Sequence, residues 1–331
     1  ESTSGKLLSF DKGSEKQKML GIIQNSIFGV DINPESIEIT KLSLFLKIAT
    51  KEKQLIGLSQ RIIMGNSLVS DPSIDDKAFS WKDEFYEILG EHAKKYGFDI
   101  ILGNPPYVSQ KGTADHPNIE YAEREYYRNS YQSLSDSELK TRGGVKLNLF
   151  ALWIEKSIEL LAEKGTLGLI VHKNLLKVES YKFLRKFILE NTIINEIFDL
   201  GPGIFKDVTG ETVLLNIQKT KQDGNTVVVK RNIDLEKNQY DTSSISQSLF
   251  HKTDDFMFNP YRSSKFLRLQ EKLWKNSDRL EQIYKVISFG LNTKDNKKYF
   301  LQSRKGSLWR KAVMGRNIAK WIPKSFGYVF Y

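Results

Sequence analysis

Asn104-Pro105-Pro106-Tyr107 is the segment of this sequence best equipped for chemistry. Asn104 and Pro105 each precede a proline, whose ring keeps the residue before it out of the helical region, so both are held extended. That geometry can present the Asn104 side-chain oxygen and the Pro105 carbonyl to one pocket. Two acceptors side by side suit a planar exocyclic amine, which has two N–H donors to satisfy. Binding both hydrogens draws the nitrogen toward tetrahedral geometry and frees its lone pair to attack an electrophilic carbon. No strong base is needed beforehand, because the amine proton turns acidic only once the new bond has formed. Tyr107 adds a ring on which an unstacked base can lie. The plainer use of the same four residues is a diproline turn with a surface tyrosine.

The elements around this tetrapeptide must deliver it to an open edge. Phe98-Asp99-Ile100-Ile101-Leu102 reads as a strand running straight into Gly103-Asn104, and ligands of parallel α/β sheets gather beyond such strand ends. Ile27-Phe28-Gly29-Val30-Asp31 is a second apolar run ending in an acid. Asn33 as N-cap and Pro34 at the first helical position then open a helix with Ile37, Leu44, Phe45 and Ile48 on its apolar face. Arg61–Met64, Thr166–Val171 and Ile194–Asp199 read as further strands. Trp81–Tyr96, Leu147–Leu161 and Val178–Glu190 read as helices. Thr212–Lys219 and Thr226–Arg231, around Asp223-Gly224-Asn225, are expected to form an antiparallel hairpin. Alternating strands and helices predict an α/β domain with a mostly parallel sheet covered on both faces.

Composition narrows the chemistry. The 331 residues hold no cysteine, which removes disulfides, thiolate nucleophiles and Cys-ligated zinc. The four histidines (92, 116, 172, 251) form no H-x-x-x-H pair, so no metal site is expected. No run reaches the roughly 18 apolar residues of a membrane span, and no secretory signal opens the chain, so a soluble, cytoplasmic protein with no membrane partner is expected. Charge is unevenly placed. Residues 1–220 carry a net −2 and residues 221–331 a net +12. Beyond residue 260, 17 basic side chains face 4 acidic ones, the asymmetry expected when one region does chemistry and another meets a polyanion. A solvated basic surface would look the same by charge alone.

Together these segments resemble the S-adenosylmethionine-dependent adenine-N6 DNA methyltransferases of restriction–modification systems. Asn104-Pro105-Pro106-Tyr107 matches their catalytic motif letter for letter. Phe28-Gly29-Val30-Asp31-Ile32-Asn33-Pro34 is similar to their second motif. The resemblance gives Asp31 to the cofactor ribose hydroxyls and Ile32 to the cofactor adenine. Gly65-Asn66-Ser67-Leu68 looks like the third motif; Asn66 stands where an acid is usual and can still bond the adenine amine, with Ser67 beside it. Gly165–Val171 resembles the strand after the catalytic loop. Gly203-Ile204-Phe205 resembles the segment that walls the flipped base, which makes Phe205 a second target-base residue beside Tyr107; a core phenylalanine is the ordinary alternative.

The resemblance continues into Gly290–Asn296 and Met314–Ile318, which look like the start of a target-recognition domain in single-chain enzymes that fuse restriction and methylation, the type IIG-like, gamma-class order. It implies a Rossmann-like catalytic domain over 1–235, a polar linker over 236–262, and the start of a DNA-recognition domain over 263–331. Double-stranded DNA is the implied partner, met by Arg304, Lys305, Arg310, Lys311 and Arg316. The family's glycine-rich first motif has no counterpart before Phe28. The central first strand of the sheet is therefore expected to come from an upstream part of the same polypeptide, where a nuclease region could also reside. RNA adenine and protein glutamine methyltransferases share the tetrapeptide but lack the basic C-terminal segment. A catalytically incomplete DNA-binding specificity module is the remaining alternative.

Overall fold

The computed structural model describes residues 12–48, 58–93, 95–109, 119–135, 147–202, 210–222 and, with short breaks, 224–260; beyond residue 263 it describes a few helical residues up to 278, then 300–313 and short strands up to Phe330. The chain divides into two compact units, Glu1–Ser263 and Ser264–Tyr331.

In the first unit, α1 (Lys12–Ser26) and α2 (Pro34–Ile48) flank β1 (Gly29–Asp31). β1 pairs in parallel with β2 (Ile62–Met64). Ile23 and Ile37 bury their side chains with Leu58 and Ile62 in a small core of their own. The larger sheet has six strands. These are β3 (Phe98–Gly103), β4 (Leu161–His172), β5 (Ile193–Gly201), β6 (Thr212–Gln218), β7 (Thr226–Asp234) and β8 (Gln239–Ser246). Their order is β3-β4-β6-β5-β7-β8. The pairs β3–β4 and β5–β7 are parallel, while β6 lies antiparallel between β4 and β5. Four of the six strands therefore run one way, with β6 and β8 reversed.

The expected hairpin does not form. β6 inserts between β4 and β5, where Val213, Leu215 and Ile217 bury fully, and β7 pairs with β5 and β8 instead. An apolar strand gains more area between two neighbours than at the rim, and that outweighs the local turn signal. The expected linker over 236–262 is also corrected. It supplies β8 and the core side chains Ile245, Phe250 and Phe258, the last two at 1% and 0% exposure. β8 carries only Tyr240 and Ile245 as apolar residues, so a composition average hid the strand. The predicted helix over Trp81–Tyr96 is two short turns, Trp81–Glu84 and Tyr86–Leu89, broken at Phe85, which buries among Phe28, Phe79, Trp81 and Phe98.

Helices α3 (Tyr121–Ser130), α4 (Leu149–Leu160) and α5 (Lys182–Asn191) complete the main elements. Alternation along β4 sends Leu167, Leu169 and Val171 into a core with Phe150, Ile154 and Ile158 of α4 and Leu184 and Ile188 of α5. Thr166, Gly168 and Ile170, on the opposite face, remain half-exposed, so two-sided cover is not what the described residues show. β3 is an edge strand, with Ile100 66% and Leu102 77% exposed, and no described strand lies between it and β1. Gly97 delivers the chain into β3. Its φ is +99°, and a Cβ there would stand 2.4 Å from the Ala162 nitrogen, so only glycine fits the turn.

In the second unit, β9 (Phe300–Leu301), β10 (Trp309–Ala312) and β13 (Gly327–Phe330) form an antiparallel sheet of order β10-β13-β9. Between them in sequence, β11 (Ile318–Ala319) pairs with β12 (Ile322–Pro323).

Candidate active site

β1 and β3 start from one apolar base. Phe28 and Phe98 hold their rings 5.5 Å apart, and Val30 and Ile101 pack on the same cluster with Phe79, Phe85 and Leu89. From that base β1 ends at Asp31 and β3 runs into Asn104.

At the end of β1 the chain turns sharply into α2. Asp31 Oδ1 accepts the Asn33 N–H at 2.8 Å, and Asn33 Oδ1 caps α2 by accepting from Glu35 and Ser36 at 2.7 and 3.3 Å. Asp31 is exposed, and this turn bond engages only one of its two carboxylate oxygens. Ile32 is 48% exposed and, with Asn33, Pro34, Glu35 and Lys77, lines an open concavity of about 440 Å³. An exposed carboxylate beside an exposed apolar side chain fits a ribose diol next to a planar base, so these residues suit the nucleoside part of the expected cofactor. Asn66 and Ser67 are placed differently. The Asn66 amide donates to Asp75 Oδ2 at 2.6 Å and accepts from the Leu68 N–H at 3.1 Å, so it knits its own loop. Ser67 is buried, and its carbonyl accepts from the Trp81 indole at 2.8 Å. Burial alone would raise the Asp75 carboxyl, but hydrogen bonds from Asn66 and the Lys77 N–H outweigh it and leave its pKa lowered.

At the end of β3, Asn104 is exposed, Pro105 buried, Pro106 exposed and Tyr107 half-buried. The Tyr107 hydroxyl donates to the Ile170 carbonyl of β4 at 3.2 Å, and burial raises its pKa. Its ring meets Phe150 and His172 edge-on, with centroids 6.1 and 6.0 Å away. The loop is pinned further on, where the Leu149 N–H at the start of α4 donates to the Val108 carbonyl at 3.0 Å. The tetrapeptide thus hangs between the edge strand and its parallel neighbour.

Several residues that sequence reasoning passed over shape this end of the sheet. His172 closes β4, and its Nδ1 accepts the Asn174 N–H at 3.1 Å. Lys173 bonds Asp199 Oδ2 at 2.8 Å and also pairs with Glu211, so one ammonium ties the ends of β4, β5 and β6. Arg185 is fully buried and holds the turn after β4. It donates to the carbonyls of Leu175 and Val178, each at 2.8 Å, and to that of Asp255 at 3.1 and 2.8 Å. Burial pushes its pKa down to about 10. The signal that could have found these residues is position: each belongs to a parallel strand's carboxyl end or packs against the turn after it.

Phe205 and Arg316 lie outside the described residues. In the second unit, Arg304, Lys305, Arg310 and Lys311 are all exposed. The Arg304 guanidinium bonds the Gly306 carbonyl at 3.0 Å, and Lys311 Nζ sits 4.0 Å over the Phe326 ring. Arg310 and Lys311 are consecutive in β10, so they stand on opposite faces of its sheet. Among the described residues, no helix is long and apolar enough to cross a membrane.

Known proteins resemble this chain in sequence and in fold. A family model described as Eco57I restriction-modification methylase matches residues 25–205. The Type II restriction enzyme and methyltransferase RM.Eco57I of Escherichia coli is 30% identical over 213 residues, which take in 61% of this chain and 20% of that protein. The Type II methyltransferase M.BstVI of Geobacillus stearothermophilus is 28% identical over 189 residues, 57% of this chain and 28% of that one. The chain therefore spans between a fifth and a third of the length of these relatives. A DrdV–DNA complex solved by cryo-EM aligns with a TM-score of 0.54 at 13% identity, covering 87% of this chain and 31% of that one, a likeness of fold. With its matched segment running from just before β1, through the tetrapeptide, past the end of β5, the chain belongs to the Eco57I restriction-modification methylase family.

Proposed function

We propose that this chain carries the catalytic core of a site-specific DNA methyltransferase acting on the N6 amine of adenine within a restriction–modification enzyme. The observation that carries the reading is the position of Asn104-Pro105-Pro106-Tyr107 at the carboxyl end of β3, a strand that shares its apolar base with β1 and so with Asp31 at the end of β1. S-adenosylmethionine, when bound, supplies an electrophilic methyl group. Asp31 holds its ribose and Ile32 supports its adenine. The engaged amide of Asn66 and the buried Ser67 leave those two residues to shape the loop above. Asn104 Oδ1 and the Pro105 carbonyl accept the two N–H bonds of the target amine and aim its lone pair. Tyr107 stacks the flipped base, held in place by its bond to β4, and Phe205 is the second wall. Extruding a base costs a few kcal/mol, which phosphate contacts from the basic second unit would offset.

The exposed edge of β3 and the greater length of the relatives support a further part of the same polypeptide closing the sheet and completing the cofactor site. The test is to express the chain within its full-length polypeptide, incubate it with DNA and labelled S-adenosylmethionine, and digest the product to nucleosides. Label in N6-methyladenosine of the deoxy series is expected. Label in methylcytosine, in RNA or in protein would replace the reading.

A further inference from the structure

We infer that His172 is a positioning residue of this site, acting through Tyr107. Its imidazole stands edge-on to the Tyr107 ring, with centroids 6.0 Å apart and planes at 90°. A second constraint comes from its nitrogens. Nδ1 accepts the Asn174 N–H, which places the ring proton of the neutral form on Nε2. Nε2 faces Gly210: a Cβ built on that residue would lie 2.7 Å from it, and Gly210 has φ +148°. No other residue type could let the chain pass His172 so closely. The imidazole is therefore wedged between the tetrapeptide on one side and the chain entering β6 on the other.

Protonation would loosen the wedge. A proton on Nδ1 would set two donors, Nδ1–H and the Asn174 N–H, against each other and disturb the short turn Lys173–Leu176. That turn carries Lys173, which clasps Asp199 of β5 and Glu211 beside β6. Tyr107 stands in ring contact with His172, and Lys173, its chain neighbour, is itself paired with Asp199 and Glu211. Burial favours the neutral ring, lowering the His172 pKa from 6.5. The geometry then holds at neutral pH and is lost as pH falls through that lowered value. The ring contact stands on the structure alone, whereas its catalytic consequence rests on the proposed methylation.

The test uses the full-length polypeptide, with 13C-labelled tyrosine and histidine for spectroscopy and with methyl-transfer kinetics alongside. The Tyr107 ring resonances should titrate with the His172 pKa and should shift in His172→Ala at neutral pH. His172→Phe, which keeps an edge-on ring, should abolish that titration. In kinetics, His172→Ala should lower kcat by on the order of tenfold to a hundredfold, the usual cost of a misplaced reacting group. Affinity for S-adenosylmethionine should be unchanged, and His172→Phe should recover most of kcat while losing the acid limb of the pH profile. Tyr107 resonances indifferent to His172→Ala in a chain of unchanged circular dichroism would overturn the inference, as would an unaltered kcat and pH profile. If the wild type transfers no methyl group to DNA while Tyr107 still tracks the His172 titration, the positioning role stands and the methylation reading falls.

Discussion

The two halves of the candidate site are built to different standards. On the catalytic side, β4 runs twelve residues, its inward side chains are fully buried, and three strand ends are locked by Lys173 while Arg185 pins the turn that follows. On the cofactor side, β1 and β2 are three residues each, and Ile32 and Met64 stand 48% and 45% exposed. The difference teaches that the long, buried β4 backs the Asn104–Tyr107 loop with fixed partners, whereas the Asp31 side is a shallow, open shelf.

The largest expected effect lies in the well-built half. Arg185→Met removes four hydrogen bonds, taking its donor from the buried Leu175 carbonyl and both guanidinium donors from that of Asp255, which should cost about 3–5 kcal/mol of unfolding free energy in a urea titration. A loss below about 1 kcal/mol would mean the turn after β4 is held by something else. On the open half, Asp31→Ala should weaken S-adenosylmethionine binding by about 1.5–3 kcal/mol in calorimetry on the full-length polypeptide, with little change in stability. Unchanged affinity would remove Asp31 from the cofactor shelf.

Smaller effects sharpen the contrast further. In the second unit, Arg310→Gln and Lys311→Gln should not behave alike, because the two side chains occupy opposite faces. The variant on the DNA-facing side should flatten the log–log salt dependence of DNA binding by about 0.9 for each phosphate its parent side chain neutralises, and the other should leave the slope alone. Wild-type slopes in both variants would place both residues away from the DNA, and equal flattening would break the two-face assignment. Smallest is the loop over β2. The lowered Asp75 pKa contributes stability that is present above the ordinary carboxylate value of 3.8 and lost as pH falls through the lowered one. Melting curves from pH 5 down to 3 should therefore fall more steeply in the wild type than in Asp75→Asn.

The parts of this molecule legible in the sequence were those with strong local chemistry. The Asn33 cap opened α2 where expected, the apolar run of Phe98–Leu102 formed β3, and the tetrapeptide stands at its end. What the sequence hid was decided by distant partners. β6 looked like half of a hairpin because its turn is local, yet its pairing with β4 and β5 spans the sheet. The polar stretch before Pro260 looked like a linker, although Asp255 and Phe258 clamp the turn after β4. His172 and Lys173 carried no motif, and their role follows only from which strands end beside them. Four basic residues in one stretch read as one patch until strand alternation split Arg310 from Lys311.

Methyl transfer by Asn104→Ala tests the central claim most directly. The full-length polypeptide, wild type and variant, would be given DNA and labelled S-adenosylmethionine, with cofactor and DNA affinities measured in parallel. Loss of one of two preorganised acceptors should lower kcat by about 10²–10³, with both affinities retained. Transfer within about threefold of wild type, far short of that loss, would contradict the account.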